Sequence, residues 1–178
     1  MIPAPTIILY IACSLDGYIA RKNGSVDWLS GLETESEDFG YLKFYASVDA
    51  LIMGRKTYQQ IVGFGEWPYP DKPCYVFSHR HLKLTIPDVV VVSDSLEKVQ
   101  HSFKKKRYRR VWLVGGAELI KSYLNASMIH EMIITFIPLL LAEGIPLFLP
   151  GISEQKLILL GTSSFSQGVT QTHYRIGD

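Results

Sequence analysis

A short apolar run followed by two glycines and a helix-forming segment constrains this chain more than any other stretch. The run is Val111–Val114, Gly115 and Gly116 follow it directly, and Ala117–Leu124 places its large apolar residues on one helical face. The first backbone N–H groups of a helix lack intrahelical partners, and the helix dipole is positive at that end. The segment therefore predicts a buried strand, a turn and a helix start that can bind a phosphate, although a plain strand-to-helix turn explains the glycine pair equally well.

A second junction of the same kind lies upstream. Val48–Met53 is an apolar strand, Gly54 follows it, and Arg55–Val62 has a helical pattern. In open α/β sheets, ligands bind outside the carboxyl ends of the strands, often where the strand order reverses. Both glycine junctions stand at strand ends of this kind.

Strand-like and helix-like patterns alternate along the rest of the chain. Helices are predicted over Glu33–Ser47, with acidic residues in the first turn, and over Ser95–Lys105, capped by Ser95. The remaining predicted strands are Ile7–Cys13, Pro73–Ser78, Val89–Val92, Glu131–Ile137, Lys156–Thr162 and Val169–Ile176. This order predicts an α/β fold with a central, mostly parallel sheet, helices on both faces and an antiparallel C-terminal edge hairpin.

Length and composition suggest a single domain spanning residues 1–178. Of the 178 residues 47% are hydrophobic and 20% are charged, and the formal net charge is +1. A nearly neutral chain is not expected to bind nucleic acid or a membrane surface, and no segment reaches the ~18 apolar residues of a membrane span. Six of the seven residues of Lys104–Arg110 are basic, and we interpret them as a helix end followed by a solvated loop.

The cysteines and the N-terminus predict a cytoplasmic protein. Cys13 and Cys74 lie in apolar runs, as buried thiols do in a reducing compartment, and the N-terminus lacks a basic leader. The histidines and cysteines show no spacing typical of metal ligands, so no metal site is predicted.

Four segments in this order resemble the dihydrofolate reductase superfamily. They are Ile11–Ala20 (IACSLDGYIA), a helix with an early Asp, Leu51–Tyr58 (LIMGRKTY) and Val111–Leu119 (VWLVGGAEL). Within the superfamily, the likeness is greater to the reductase domain of the riboflavin-biosynthesis deaminase-reductase, and greatest to small bacterial proteins that consist of that domain alone. The resemblance implies an NADPH-dependent oxidoreductase acting on a C=N or C=O group of a small pterin-like or aminopyrimidine-like substrate, and often a homodimer.

The resemblance also implies which residues hold NADPH. Matching positions are Gly54, Arg55, Lys56 and Thr57 at the phosphates, Ser78, His79 and Arg80 at the adenosine 2′-phosphate, Val114, Gly115, Gly116, Ala117, Glu118 and Leu119 at the pyrophosphate and nicotinamide, and Ala12 and Ile19 in the nicotinamide pocket. The chemistry agrees at the 2′-phosphate, because a dianion favours the planar donor fork of arginine and Arg55 and Arg80 follow two strands. Solvated surface arginines are the alternative interpretation.

On the substrate side, Asp38 matches the acidic residue that grips the pterin. A carboxylate there could orient the substrate or relay a proton as a C=N bond is reduced, and a solvated residue in an acidic helix start is the alternative. Thr135 matches a supporting threonine, and Trp28 lies in the loop Ala20–Ser30, which we expect to close over the nicotinamide. For Asp16 we expect an Asx-type turn.

Two departures from the family pattern bear on the substrate. Lys72 stands near the position of the arginine that clamps the glutamate tail of folate, and lysine lacks the bidentate fork. Val26–Asp27–Trp28 replaces the usual apolar-Pro-Trp. Folate is therefore not expected to be the physiological substrate, and a module that binds NADPH as a sensor without catalysis is the alternative function.

Overall fold

The computed structural model describes residues 3–30, 32 and 37–177. Its elements are β1 (Thr6–Ser14), β2 (Tyr18–Ala20), α1 (Tyr41–Ser47), β3 (Ala50–Gly54), α2 (Arg55–Gly63), β4 (Cys74–Phe77), β5 (Val89–Val92), α3 (Leu96–Lys105), β6 (Arg110–Gly115), α4 (Ala117–Asn125), β7 (Glu131–Ile137), β8 (Ile145–Pro146), β9 (Leu157–Ser164) and β10 (Thr170–Ile176). Single 3₁₀ turns cover Asp27–Leu29 and Ser166–Gly168.

Eight of these strands form one sheet in the order β5–β4–β3–β6–β1–β7–β10–β9. Neighbours from β5 to β7 pair in parallel, whereas β10 pairs antiparallel with both β7 and β9. The short strands β2 and β8 pair separately. The predicted fold, a mostly parallel sheet with an antiparallel C-terminal hairpin, is confirmed.

Helices cover both faces of this sheet. On one face, Ile7 and Leu9 of β1 share a buried cluster with residues of α3 and α4. On the other face, Ile8 shares a cluster with Phe44 of α1 and residues of α2. The alternation along β1 follows from the period of two in a strand, and a strand with apolar residues on both faces is buried on both sides.

The helix predicted over Glu33–Ser47 is wrong at its start. Part of that range, residues 33–36, lies outside the described residues, and the helix itself begins at Tyr41. Phe39 and Gly40 have φ of +51° and +78°. These left-handed backbone angles are incompatible with a right-handed helix, so the helix cannot extend back to Asp38.

The other helices and both cysteines agree with the predictions. Ser95 caps α3, because its hydroxyl accepts a hydrogen bond from the backbone N–H of Lys98 at 3.4 Å. Both thiols are buried and unpaired. Burial raises the pKa of Cys13 to about 11 and that of Cys74 to about 12, so neither is a reactive thiolate at neutral pH. None of the helices in the described part of the chain is long and apolar enough to span a membrane.

Candidate active site

The two glycine junctions meet at the carboxyl ends of β3 and β6. These strands are parallel neighbours, and Met53 is in register with Gly115. A Cβ atom placed on Gly54 would lie 3.7 Å from the backbone nitrogen of Gly116, and one placed on Gly116 would lie 3.2 Å from Thr57 Oγ1. The absence of side chains therefore allows a close approach between the two main-chain turns and the first turn of α2.

A cleft of about 660 Å³ opens beside this junction. Among its lining residues are five of the predicted cofactor residues: Arg55, Ser78, His79, Arg80 and Leu119. Sequence reasoning missed the far wall, where Val92 ends β5, Leu96 begins α3 and Asp94 lies between them. The only signal for that wall was the polar Ser93–Ser95 segment between a strand and a capped helix.

Positive charge predominates among the ionisable residues of this cleft. The lining includes two arginines, Arg55 and Arg80, and one carboxylate, that of Asp94. The Asp94 carboxylate lies 3.6 Å from the ammonium of Lys98. Arg55 is held by Gln59, whose Oε1 accepts a hydrogen bond from Arg55 Nη1 at 2.9 Å. At Ser78 the hydroxyl accepts from the backbone N–H of Arg80 and donates to its carbonyl, which fixes the turn after β4. Such a cleft suits an anion with several acceptor oxygens.

Not every predicted cofactor residue lies in this cleft. Lys56 and Glu118 are exposed on the first turns of α2 and α4, and neither is among the residues that line it. Ala117 is buried, and Val114 packs against the cluster beneath α2. Ile19 packs against the opposite cluster, beneath α3 and α4.

The predicted substrate-side residues come together on the α1 side of the sheet. Trp28 and Phe39 are buried in one cluster, and Ala12 packs against it. Thr135 is in register with Ala12 on the neighbouring strand β7. Gln171, which sequence reasoning missed, links these parts. Its Nε2 donates to Thr135 Oγ1 at 2.9 Å and to the carbonyl of Phe39 at 3.3 Å. The indole N–H of Trp28 is buried without a partner in the described structure.

Asp38 precedes α1 instead of lying on it. Its carboxylate accepts hydrogen bonds from the backbone N–H groups of Leu42 at 2.8 Å and Gly40 at 2.9 Å. These two bonds, that from Leu42 above all, hold the pKa of Asp38 below its usual value. At neutral pH the group is an ionised acceptor, which suits the orientation of a substrate N–H better than direct donation of a proton.

Two other predictions concern polar groups near the site. The Asx-type turn predicted for Asp16 is wrong: the serine Ser14 closes the turn, since its hydroxyl accepts from the backbone N–H of Tyr18, and Asp16 reaches Leu141 and Ala142 instead. Lys72 is engaged elsewhere, because its ammonium donates to the carbonyl of Val48 and lies 5.0 Å from the ring centroid of Tyr45.

Among the described residues, no group of three or more His, Cys, Asp or Glu side chains is placed to hold a metal ion.

Comparison with known proteins identifies the family. The sequence profile of the RibD C-terminal domain family matches residues 5–171. The chain belongs to the RibD C-terminal domain family. It is 42% identical over 168 residues to the uncharacterised protein YwjB of Bacillus subtilis, covering 94% of this chain and 95% of that protein.

A solved structure and a folate reductase extend the comparison. A Shewanella sp. PV-4 protein assigned to riboflavin biosynthesis superposes with a TM-score of 0.89 at 31% identity, covering 97% of this chain and 99% of that one. Dihydrofolate reductase of Candida albicans is 30% identical over 87 residues, which are 49% of this chain and 44% of that enzyme. The family and the fold are those of NADPH-dependent reductases.

The residues present fit such a cofactor. A side chain at Gly54 or Gly116 would enter the gap where the two junctions meet, so a dinucleotide can approach the main chain there. The neighbouring cleft supplies arginine, hydroxyl and imidazole donors for phosphate oxygens, together with apolar side chains for a ring.

Proposed function

We propose that this protein is a reductase that uses NADPH to reduce a C=N or C=O group of a small pterin-like or aminopyrimidine-like heterocycle. The observation that carries the proposal is the convergence of the Gly54 and Gly116 junctions beside a cleft that contains two arginines. When bound, NADPH supplies the hydride. The chain's own residues bind the two partners, orient them and exclude water.

The cofactor side divides between two groups of residues. Arg55, Ser78, His79 and Arg80 line the cleft, where they would bind the adenosine 2′-phosphate and favour NADPH over NADH. The turns at Gly54 and at Gly115–Gly116, with the starts of α2 and α4, would hold the pyrophosphate through backbone N–H groups. Lys56, Thr57, Ala117 and Glu118 belong to those helix starts.

The substrate side uses Asp38, Thr135 and Trp28. An ionised Asp38 would accept a hydrogen bond from a ring N–H and thereby orient the heterocycle, with any proton relayed through it coming from water. Thr135 is held by Gln171, so its hydroxyl has a fixed place beside Ala12. Trp28 would cover the site from the loop Ala20–Ser30 and help to exclude water.

Lys72 bears on the class of substrate. Its ammonium already donates to Val48 and lies over the ring of Tyr45, so it is not free to clamp the carboxylate tail of a folate. This engagement supports a substrate without a glutamate tail.

The proposal also covers the oligomeric state, the compartment and the partners of the protein. We propose a homodimer, because all eight residues of the edge strand β9 are exposed and none of them is charged. We place the reaction in the cytoplasm, since both thiols are unpaired, and we propose neither nucleic acid nor membrane as a partner, given the net charge of +1.

A screen of NADPH oxidation with dihydrofolate, pterins and pyrimidine phosphates tests the proposal. We expect turnover on a heterocycle without a glutamate tail. We expect Asp38→Asn to lower kcat by about 100-fold or more while leaving the Kd for NADPH unchanged, because Asp38 does not line the cleft proposed for the cofactor phosphates.

Asp49→Asn is the matched control, since Asp49 also accepts two backbone N–H bonds, from Arg109 and Arg110, away from the site. NADPH binding without turnover on any substrate would favour the alternative function, a module that senses NADPH. An Asp38→Asn variant with full turnover would remove Asp38 from the mechanism.

A further inference from the structure

The end of β1 projects beyond the glycine junction at Gly115. The pairing of β1 with β6 runs to Leu9 and Leu113, whereas its pairing with β7 continues to Ser14 and Ile137. Ile11 lies at the level of the junction, with its Cδ1 3.7 Å from the place a Cβ atom on Gly115 would take. The three further residues to Ser14 add about 10 Å, so the turn Leu15–Gly17 stands above the junction.

The carboxylate of Asp16 fastens this turn to the chain that follows β7. Its Oδ1 accepts from Ser14 Oγ at 2.6 Å and from the backbone N–H of Leu141 at 3.1 Å, and its Oδ2 accepts from the backbone N–H of Ala142 at 2.7 Å. Ser14 is fully buried, and its hydroxyl also accepts from the backbone N–H of Tyr18. One carboxylate thus connects β1, β2 and the segment after β7.

Backbone contacts bring the same two segments into register. The N–H of Leu15 donates to the carbonyl of Leu139, and the N–H of Leu147 donates to that of Gly17. A Cβ atom on Gly144 would lie only 2.3 Å from the carbonyl oxygen of Ala20, so β2 packs directly on this segment. Backbone hydrogen bonds thus bring the turn after β1 close to the segment after β7, and the Asp16 carboxylate accepts the side-chain hydrogen bonds that fix the turn there.

We propose that Asp16 is a positioning residue for the nicotinamide half of NADPH: it holds the turn Leu15–Gly17 in place above the Gly115–Gly116 junction and so shapes the wall that carries Ile19. This inference rests on the proposed function. The adenosine half depends on different residues, those of the cleft around Arg55 and Arg80, which Asp16 does not touch. Loss of Asp16 should therefore weaken one half of the cofactor site and spare the other.

Binding of two ligands distinguishes an effect on the nicotinamide half of the site from an effect on the adenosine half. NADPH spans the whole site, and 2′,5′-ADP reports on the cleft alone. For Asp16→Ala we expect the Kd for NADPH to rise about tenfold or more, because Ser14 Oγ and two backbone N–H groups lose their acceptor. We expect the Kd for 2′,5′-ADP to stay within about twofold, and the change in nicotinamide fluorescence on binding to shrink.

Asp16→Asn and Glu143→Gln complete the set. Asparagine keeps one acceptor oxygen, so Asp16→Asn should bind NADPH with an affinity between wild type and Asp16→Ala. Glu143 lies on the same segment and pairs with Lys22, both well exposed, so Glu143→Gln should match wild type.

Three outcomes overturn the inference. Unchanged NADPH affinity in both Asp16 variants shows that the turn needs no carboxylate. Equal losses of NADPH and 2′,5′-ADP affinity in both variants show that Asp16 supports the whole fold. A wild-type protein that binds neither ligand refutes the proposed function, and this inference with it. If wild type binds both ligands and only the Asp16 prediction fails, the proposed function stands.

Discussion

The ring of His130 illustrates how one residue can make stability depend on pH. Its Nδ1 accepts a hydrogen bond from the backbone N–H of Ile7 at 3.0 Å, which requires a neutral ring. Burial lowers the pKa of His130 from its usual value. The folded protein therefore binds this proton less readily than the unfolded chain does.

The sign of the effect follows from that direction. The stabilisation by His130 is complete above the unfolded pKa of about 6.5 and is lost as the pH falls below it towards the lower folded pKa. We expect the free energy of unfolding of wild type to fall between pH 7 and pH 5, with a contribution from this group of at most about 1.4 kcal/mol per pH unit.

His130→Asn is the matched variant, because an amide oxygen can accept the same N–H and does not titrate in this range. Urea unfolding at several pH values should show a smaller loss of stability for the variant than for wild type below pH 6.5. Parallel pH profiles for the two proteins would show that His130 is not the titrating group.

Single residues were the least predictable part of the site. The sequence placed Asp38 on a helix, whereas its carboxylate accepts backbone N–H groups at the start of α1. For Asp16 the sequence predicted an Asx-type turn, whereas its carboxylate accepts backbone N–H groups of the distant segment after β7. For Asp16 the donors lie more than 120 residues away along the chain. Periodicity in the sequence carries no information about such contacts, because they are set by tertiary folding.

At the scale of elements, apolar runs and capping residues predicted most strands and helices. The strand–glycine–helix junctions at Gly54 and Gly115 were recognisable because each combines three local signals: a buried run, a glycine and an amphipathic start. The start of α1 was predicted wrongly because the local signals there were misleading. Acidic residues suggested a helix start before Phe39, and the left-handed backbone at Phe39 and Gly40 has no strong signature in the sequence.

Some residues of the cleft wall were assigned from the sequence, and others were not. Ser78, His79 and Arg80 were assigned through the family resemblance, and they do share one cleft with Arg55. The sequence predicted α3 but not that its start lines the cleft, and it gave no sign that Gln171 contacts Thr135. Both contacts arise only when β5 and β10 take their places in the sheet. Sheet order is a tertiary property, so these partners could not be read from either segment alone.

At the scale of the whole molecule, the two edges of the sheet differ. The β5 edge has four residues and is flanked by Asp88 and Asp94, which discourage pairing with another chain. The β9 edge has eight residues, and Leu157, Ile158, Leu159 and Leu160 are between 39% and 55% exposed. Two such uncharged edges are complementary to each other about a two-fold axis, which supports the proposed homodimer.

Replacing one leucine tests that assembly. We expect Leu159→Lys to shift the protein from dimer to monomer in light scattering coupled to size-exclusion chromatography, because a charge would be buried at the contact. Val90→Lys on the β5 edge is the control, since Val90 is 46% exposed. This variant should remain a dimer by the same measurement. A wild-type protein that is monomeric at all concentrations would contradict the homodimer.

The proposed function requires that the junctions at Gly54 and Gly116 together hold one NADPH. Titration of the wild-type protein with NADPH, followed by fluorescence and by melting temperature, tests this requirement. We predict saturable binding and a rise in Tm, with a stabilisation of about 2.7 kcal/mol at 100 times the Kd.

Gly54→Ala sharpens the measurement. The added methyl group would lie 3.7 Å from Gly116 N, an ordinary contact, so the fold should tolerate it. The methyl group would occupy the space in which we propose that NADPH approaches the main chain. We predict an unchanged Tm without ligand and a loss of the NADPH-dependent rise. Wild-type protein that shows neither a fluorescence change nor a rise in Tm would show that these junctions do not hold NADPH.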